Sequence, residues 1–289
     1  MTTTTSLLQK TVRAGDFEGY LTTLFAPSHA RAAVFALRAF NVEVANVQSA
    51  VKNGDLKFVL ANQRFGFWRS LVDGVFENKP INHPVAAGLH AAIQTAPLSK
   101  QFLHRIINAR EADFNSNSLY PTTEALEKYA EQSQSSLLYL QLEACGVQDF
   151  KVDLIASHIG KAVGISTVLR STPVLAQERQ FYLPSDLMAK HNLSSEDVFR
   201  SGPSTQLADV VFELASQADN HLYTARAEIA EMKDKFPKIA LAALLSTVPT
   251  ELYLKRLEKA NFDVFNPELR NRDWRLLYNL WRHHRNGTV

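Results

Sequence analysis

Phe35-Ala36-Leu37-Arg38-Ala39-Phe40-Asn41-Val42-Glu43-Val44-Ala45 decides how this chain is read. Around it Arg31, Arg38, Asn41, Ala45 and Gln48 recur at helical spacing, separated by Val34, Leu37, Phe40 and Val44. A helix over 28–52 is expected, with 38, 41, 45 and 48 along one face. Glu43, two residues beyond Asn41, is turned by about 200° around the axis and faces away.

Further along, Gly160-Lys161-Ala162-Val163-Gly164-Ile165-Ser166-Thr167-Val168-Leu169-Arg170-Ser171-Thr172-Pro173 reads as a second long helix, followed by Arg179-Gln180-Phe181-Tyr182-Leu183-Pro184. Pro173 lacks a backbone donor and clashes with the preceding turn, so this helix is expected to end or kink there. Proline and glycine are scarce between the amphipathic stretches, and no run alternates with period two. The expectation is an all-α fold. Helices are placed near 16–26, 28–52, 56–77, 83–95, 99–113, 122–145, 150–172, 185–191, 194–199, 206–232, 236–246, 249–260 and 273–284. Pro27-Ser28 is expected to cap the second, Asn53-Gly54-Asp55 to end it, and Asn82-His83-Pro84 to open the fourth. No long linker divides the chain, so 16–289 is read as one helical domain behind a flexible leader over 1–15.

The two quoted stretches resemble the squalene/phytoene synthase family, which reads R-A-x-D-x-x-x-D at the first and N-I-x-R-D-x-x-x-D followed by R-x-Y-L-P at the second. The resemblance implies an isoprenoid-synthase type helical bundle around a central cavity. It also implies where magnesium-binding aspartates would stand. Here Asn41 and Ala45 occupy the first pair of positions, and Ser171 and Leu175 the second. Magnesium demands oxygen ligands in near-octahedral geometry, and these four residues supply no carboxylate. The expectation is a pseudoenzyme with no cofactor, no metal and no catalytic residue. Arg31, Arg38, Asp113, Thr167 and Arg170 are expected as the residual pocket, with Asp113 either a pocket acid or one arm of a structural salt bridge.

Composition narrows the classes. A chain of 289 residues, 46% hydrophobic, can bury a substantial core, and a formal charge of +2 gives no field for nucleic acid. Cys145, the only cysteine, excludes an internal disulfide and is expected in the core. No run of about 18 apolar residues suggests a membrane span. Met1 to Ala14, with Lys10, Arg13 and several threonines but no acid, reads as a disordered start or a residual targeting segment. The nine histidines show no zinc-binding spacing. Acidic pairs at Asp149/Asp153, Asp209/Glu213 and Glu127/Glu131 are expected to be helix-opening or solvated residues. The small polar run Ser133 to Ser136 is expected to let helices approach closely, or to line a leftover cavity.

At the carboxyl end, Trp274, Leu277, Tyr278 and Trp281 fall on one aromatic face beside Arg275, Arg282 and Arg285. That end is read either as a helix docked on the core or as a contact for a partner or an anionic membrane surface. Phe17-Glu18-Gly19-Tyr20, Gln134-Ser135-Ser136-Leu137-Leu138-Tyr139-Leu140, Ala156-Ser157-His158-Ile159-Gly160-Lys161-Ala162 and Asp263-Val264-Phe265 are similar to the non-catalytic eukaryotic branch of the family. That likeness implies a mitochondrial matrix protein, peripheral on the inner membrane. Its implied work is early assembly of respiratory complex I, around the ND1-containing membrane-arm module. Its implied partners are other complex I assembly factors and early complex I intermediates, with no nucleic acid. Two alternatives stay open: a prenyl-diphosphate transferase with a rebuilt arginine site, and an isoprenoid- or quinone-binding protein without turnover.

Overall fold

The computed structural model describes residues 3–48, 56–116 and 120–289, and among these there is no strand. The chain runs α1 (Thr3–Gly15), α2 (Phe17–Thr23), α3 (Arg31–Ala45), α4 (Lys57–Phe76), α5 (Pro84–Ile93), α6 (Lys100–Asn115) and α7 (Thr123–Ala130). A π turn over Glu131–Ser135 leads into α8 (Ser136–Ala144). Then come α9 (Phe150–Gln177), α10 (Ser185–Lys190), α11 (Ser195–Ser201), α12 (Thr205–Met232), α13 (Leu241–Leu244), α14 (Thr247–Lys259) and α15 (Leu276–Asn286).

Several expectations need correction. The stretch read as a flexible leader is α1, which packs on α3 and α5 by burying Leu8 and Val12. Leu8 and Val12 stand one turn apart, so even this threonine-rich segment carries an apolar stripe. Glycine makes the contact possible, because a Cβ at Gly88 would fall 2.7 Å from Leu8 Cδ1 and 3.0 Å from Ala36 Cβ. The helix bearing Asn41 is shorter than expected. It opens at Arg31, after a turn in which Ala30 and Arg31 donate to the Pro27 carbonyl, and ends at Ala45. The expected stop at Asn53-Gly54-Asp55 lies outside the described residues. The fourth expected helix does open as read, with His83 accepting from Val85 N and Pro84 in the first turn. In place of a helix over 236–246 there is one short 3-10 turn (Lys238–Ala240) and the four-residue α13.

Pro173 does not end its helix. α9 continues to Gln177, with Thr172, Pro173 and Ala176 buried on the same flank. Burial of that flank outweighs one lost hydrogen bond. Thr172 Oγ1 and Ser171 Oγ both return hydrogen bonds to the Val168 carbonyl at 2.9 Å. α9 is long and apolar enough to cross a bilayer, yet 67% of its most apolar stretch is buried inside the protein. It is the core helix, with α12 laid along it.

The π turn gives α9 its seat. A Cβ at Gly160 would lie 2.5 Å from Ser135 Cα and N, and one at Gly164 would lie 2.3 Å from Ala130 Cβ. Small residues at 130–136 therefore serve close helix approach, as read from the sequence, while Gln134 faces the cavity. Cys145 is buried as expected, and desolvation pushes its thiol up to about 11.

Two measurements follow. Gly160→Ala is expected to destabilise the protein by about 1–3 kcal/mol in denaturant titration, through overpacking. Gly66→Ala in α4 meets nothing within 4 Å, and it should gain about 0.5–1 kcal/mol from helix propensity. The second concerns His158 of α9, whose Nδ1 stands 3.0 Å from His221 Nδ1 of α12. Burial, then the neighbouring His221 and Lys161, hold its pKa below the ordinary 6.5. The folded state then binds fewer protons than the unfolded chain, so this group costs stability as pH falls through 6.5 toward the lowered value. Thermal melts of His158→Gln should accordingly lose less between pH 7.5 and 5.5 than the wild type does.

Candidate functional site

A cavity of about 650 Å³ opens between α3, α6, α7, α9 and α14 and is capped by the α1–α2 junction and the 269–273 segment. Arg38, Asn41, Ala45 and Gln48 all line it, so the face read from the sequence is the face that meets the cavity. Across from them α9 contributes Thr167, Arg170, Ser171 and Leu175. Because α9 runs unbroken through Pro173, Leu175 stands one turn beyond Ser171 on the same wall.

At the four positions where the family resemblance places metal ligands, two side chains are hydrogen-bonded within the protein and two are apolar. Asn41 is buried, and its Oδ1 accepts from Arg110 Nη2 at 2.8 Å. Ser171 donates to its own helix. Ala45 and Leu175 have no donor atom. Magnesium needs several hard oxygen ligands, and this set does not fit it. Among the described residues no group of three or more His, Cys, Asp or Glu could hold a metal ion.

The wall is nevertheless charged. Six arginines (38, 110, 170, 256, 270 and 272) face four carboxylates (Asp16, Glu18, Asp113 and Asp273). Arg38 Nη1 stands 2.8 Å from Asp16 Oδ2, and its Nη2 donates to Thr22 Oγ1 at 3.1 Å. Arg170 Nη1 stands 2.7 Å from Glu18 Oε2, and its guanidinium lies 4.6 Å from the centre of the Tyr253 ring. Arg256 donates to the carbonyls of Asn271, at 2.9 Å, and of Glu268.

Asp113 is held by Tyr120 OH at 2.7 Å and by Gln48 Nε2 at 3.3 Å. Burial lifts its pKa above the usual carboxylate range, against the opposing pull of Tyr120, Gln48 and nearby Arg110. Tyr120 is pushed far up by burial and by Asp113, and burial lifts Tyr129 to about 12. Both phenols stay protonated, and Tyr120 donates to Asp113. Thr167, also on the wall, returns its hydroxyl to the Val163 carbonyl at 2.7 Å.

Arg31 is the one expected pocket residue that the fold places elsewhere. It is exposed in the first turn of α3 and donates to the Ala26 carbonyl at 3.2 and 2.9 Å. Seven residues before Arg38, it shares that residue's side of the helix but sits two turns nearer the N-terminus, outside the cavity. Asp16, Glu18, Arg110, Tyr120, Arg256, Arg270 and Arg272 were not foreseen. They come from five separate parts of the chain, and no spacing within one helix reveals them.

The carboxyl end presents its aromatic residues outward. Leu276 and Leu280 dock α15 beside Leu245 and Val248, while Trp274 is 83%, Tyr278 60% and Trp281 46% exposed. Arg275 lies over the Trp274 ring at 5.1 Å and Arg285 over Trp281 at 5.3 Å, with Arg282 exposed alongside. Arg272, Asp273 and Leu276 of the same segment reach the cavity rim.

A model of the squalene/phytoene synthase family matches residues 12–282. A Bos taurus protein named NADH dehydrogenase (ubiquinone) complex I, assembly factor 6, is 40% identical over 270 residues, covering 93% of this chain and 78% of the relative. Its Homo sapiens counterpart is 39% identical over 262 residues, covering 91% and 76%. A solved dehydrosqualene synthase superposes with a TM-score of 0.79 at 17% identity, covering 96% of this chain and 94% of that one. The helical bundle is thus an all-α isoprenoid synthase fold, and the chain belongs to the squalene/phytoene synthase family.

Proposed function

We propose that this chain is a non-catalytic assembly factor for mitochondrial respiratory complex I, acting through its surface rather than by turnover. The observation that carries this reading is the cavity wall. Asn41, Ala45, Ser171 and Leu175 face the cavity at the four ligand positions and offer no carboxylate. Ionisation of an allylic diphosphate needs a Lewis acid to stabilise the departing pyrophosphate, and this donor set cannot seat one. The 40% identity to a relative named as a complex I assembly factor supports the direction of the reading. Its finer content is a matrix protein, peripheral on the inner membrane, that meets other assembly factors and the early ND1-containing membrane-arm intermediate.

Trp274, Arg275, Tyr278, Trp281, Arg282 and Arg285 supply the contact in this reading. Interfacial aromatics and arginines together favour an anionic bilayer surface, and most of these side chains are exposed. A second reading, retention of an apolar ligand without turnover, draws support from the open cavity of about 650 Å³. It predicts a lipid that co-purifies in near-stoichiometric amount.

With magnesium and farnesyl diphosphate, purified protein should release no pyrophosphate in a coupled phosphate assay. Turnover that disappears in an Arg170→Gln variant would reject the proposal. Proximity labelling in mitochondria should enrich ND1-stage intermediates, and an unbiased matrix profile would count against it. Replacing Trp274, Tyr278 and Trp281 together by alanine should weaken flotation with phosphatidylglycerol vesicles on the order of tenfold, without shifting the thermal midpoint of the fold.

A further inference from the structure

Three consecutive side chains at the α1–α2 junction each meet an arginine from a different part of the chain. Asp16 Oδ2 stands 2.8 Å from Arg38 Nη1 on α3. The Arg272 guanidinium lies 4.1 Å from the centre of the Phe17 ring. Glu18 Oε2 stands 2.7 Å from Arg170 Nη1 on α9. All six residues line the central cavity. The junction is shaped for these contacts: a Cβ at Gly19 would fall 2.0 Å from Asp16 Oδ2 and 2.2 Å from Arg38 Nη1. Gly19 N also donates to Asp16 Oδ1 at 2.8 Å, which fixes the other carboxylate oxygen.

We infer that Asp16 and Glu18 are built-in counter-anions that occupy the cavity faces of Arg38 and Arg170 and close them to external oxyanions. A guanidinium fork takes carboxylate and phosphate oxygens with the same donor geometry. Asp16 and Glu18 each take one Nη1 donor, Thr22 takes Arg38 Nη2, and each carboxylate also offsets the charge that would draw an external anion. The internal carboxylates hold a further advantage, because their tether keeps them at an effective concentration of about millimolar or more. The two latches are not equal. Arg38 is buried, with only 7% of its side chain exposed, whereas Arg170 and Glu18 are 37% and 38% exposed. Water screens the outer pair more, so Glu18 is the latch that yields first. The inference rests on the non-catalytic reading above, because a site filled in this way has no use for a diphosphate substrate.

Calorimetric titration of the full chain with inorganic pyrophosphate, without magnesium, tests it. Wild type is expected to show no binding in the low-millimolar range or below. Asp16→Asn with Glu18→Gln should bind at least about tenfold more tightly, since two guanidinium groups lose their charged partners. Gly19→Ala keeps both carboxylates but forces Asp16 away from Arg38, so it should shift affinity in the same direction. Adding Arg170→Gln to the double variant should abolish most of the gain.

If circular dichroism shows the double variant unfolded, Glu18→Gln alone and Gly19→Ala carry the comparison. Equal affinity in wild type and variants overturns the inference, and so does a gain that survives Arg170→Gln, which marks adventitious anion binding only. Wild-type turnover of farnesyl diphosphate would remove the functional reading instead. Missing gain in the variants removes this inference alone.

Discussion

A guanidinium group cannot be buried in a helical bundle without a counter-charge, because desolvation costs several kcal/mol for each uncompensated ion. Arg38 imposes that condition. It sits at 5% exposure on a helix whose Phe35, Ala36, Leu37, Ala39 and Phe40 are also buried, so little of its charge is left to solvent. Asp16 supplies the charge, and it can do so only if the chain before it is in place. α1 must dock to bring position 16 over α3, and α2 must begin at Phe17. Asp16 also caps α2 by accepting from Gly19 N, so one carboxylate both opens a helix and neutralises a buried cation. The packing of Leu8 and Val12 is what delivers it.

The opposite wall depends on a backbone rather than a charge. α9 approaches 130–135 so closely that glycine is required at 160 and 164. The π turn widens the α7–α8 helix at that contact, and its polar groups are satisfied locally. Ser133 Oγ bonds the Tyr129 carbonyl at 2.7 Å, and Ser135 Oγ bonds the Ser157 carbonyl at 3.1 Å. Glu131 takes Tyr139 OH at 2.6 Å together with Ser157 Oγ, and these bonds keep its pKa low despite burial. π turns inside α-helices often mark functional sites. Here the turn also sets Gln134 on the cavity wall.

Much of this was legible in the sequence, for definable reasons. Helical period gave the all-α class and the face at 38, 41, 45 and 48, because a helix fixes the direction of every side chain along it. The second wall was legible too, because Ser171 and Leu175, read together from the sequence, both line the cavity. The helix end expected at Pro173 was misjudged because proline rules describe isolated helices, whereas α9 continues past Pro173 with that flank buried. α1 was missed because its apolar stripe is only two deeply buried residues wide, against a background of threonine. The outward turn of Trp274, Tyr278 and Trp281 was one of two openings the pattern left. Which stripe of an amphipathic helix meets the core is settled by its neighbours, and here Leu276 and Leu280 took that place. The Asp16 and Glu18 contacts lie 22 and 152 residues from their arginines, and no local pattern encodes such a pairing.

The residues at the four positions where the family resemblance places ligands differ in kind. Asn41 has a polar atom and its Oδ1 accepts from Arg110, which makes this position part of a hydrogen-bonded wall. Ala45 and Leu175 instead make the wall apolar. Removing carboxylates from a cavity that keeps its arginines would leave an uncompensated positive interior, which destabilises a fold by self-repulsion. Compensation here comes from residues outside both helical motifs: Asp16 and Glu18 at the α1–α2 junction, and Asp113 on α6. Four carboxylates against six arginines offset most of the wall's positive charge from within the chain. The bundle can therefore keep an open cavity with no carboxylate at 41, 45, 171 or 175, as the proposed non-catalytic role requires.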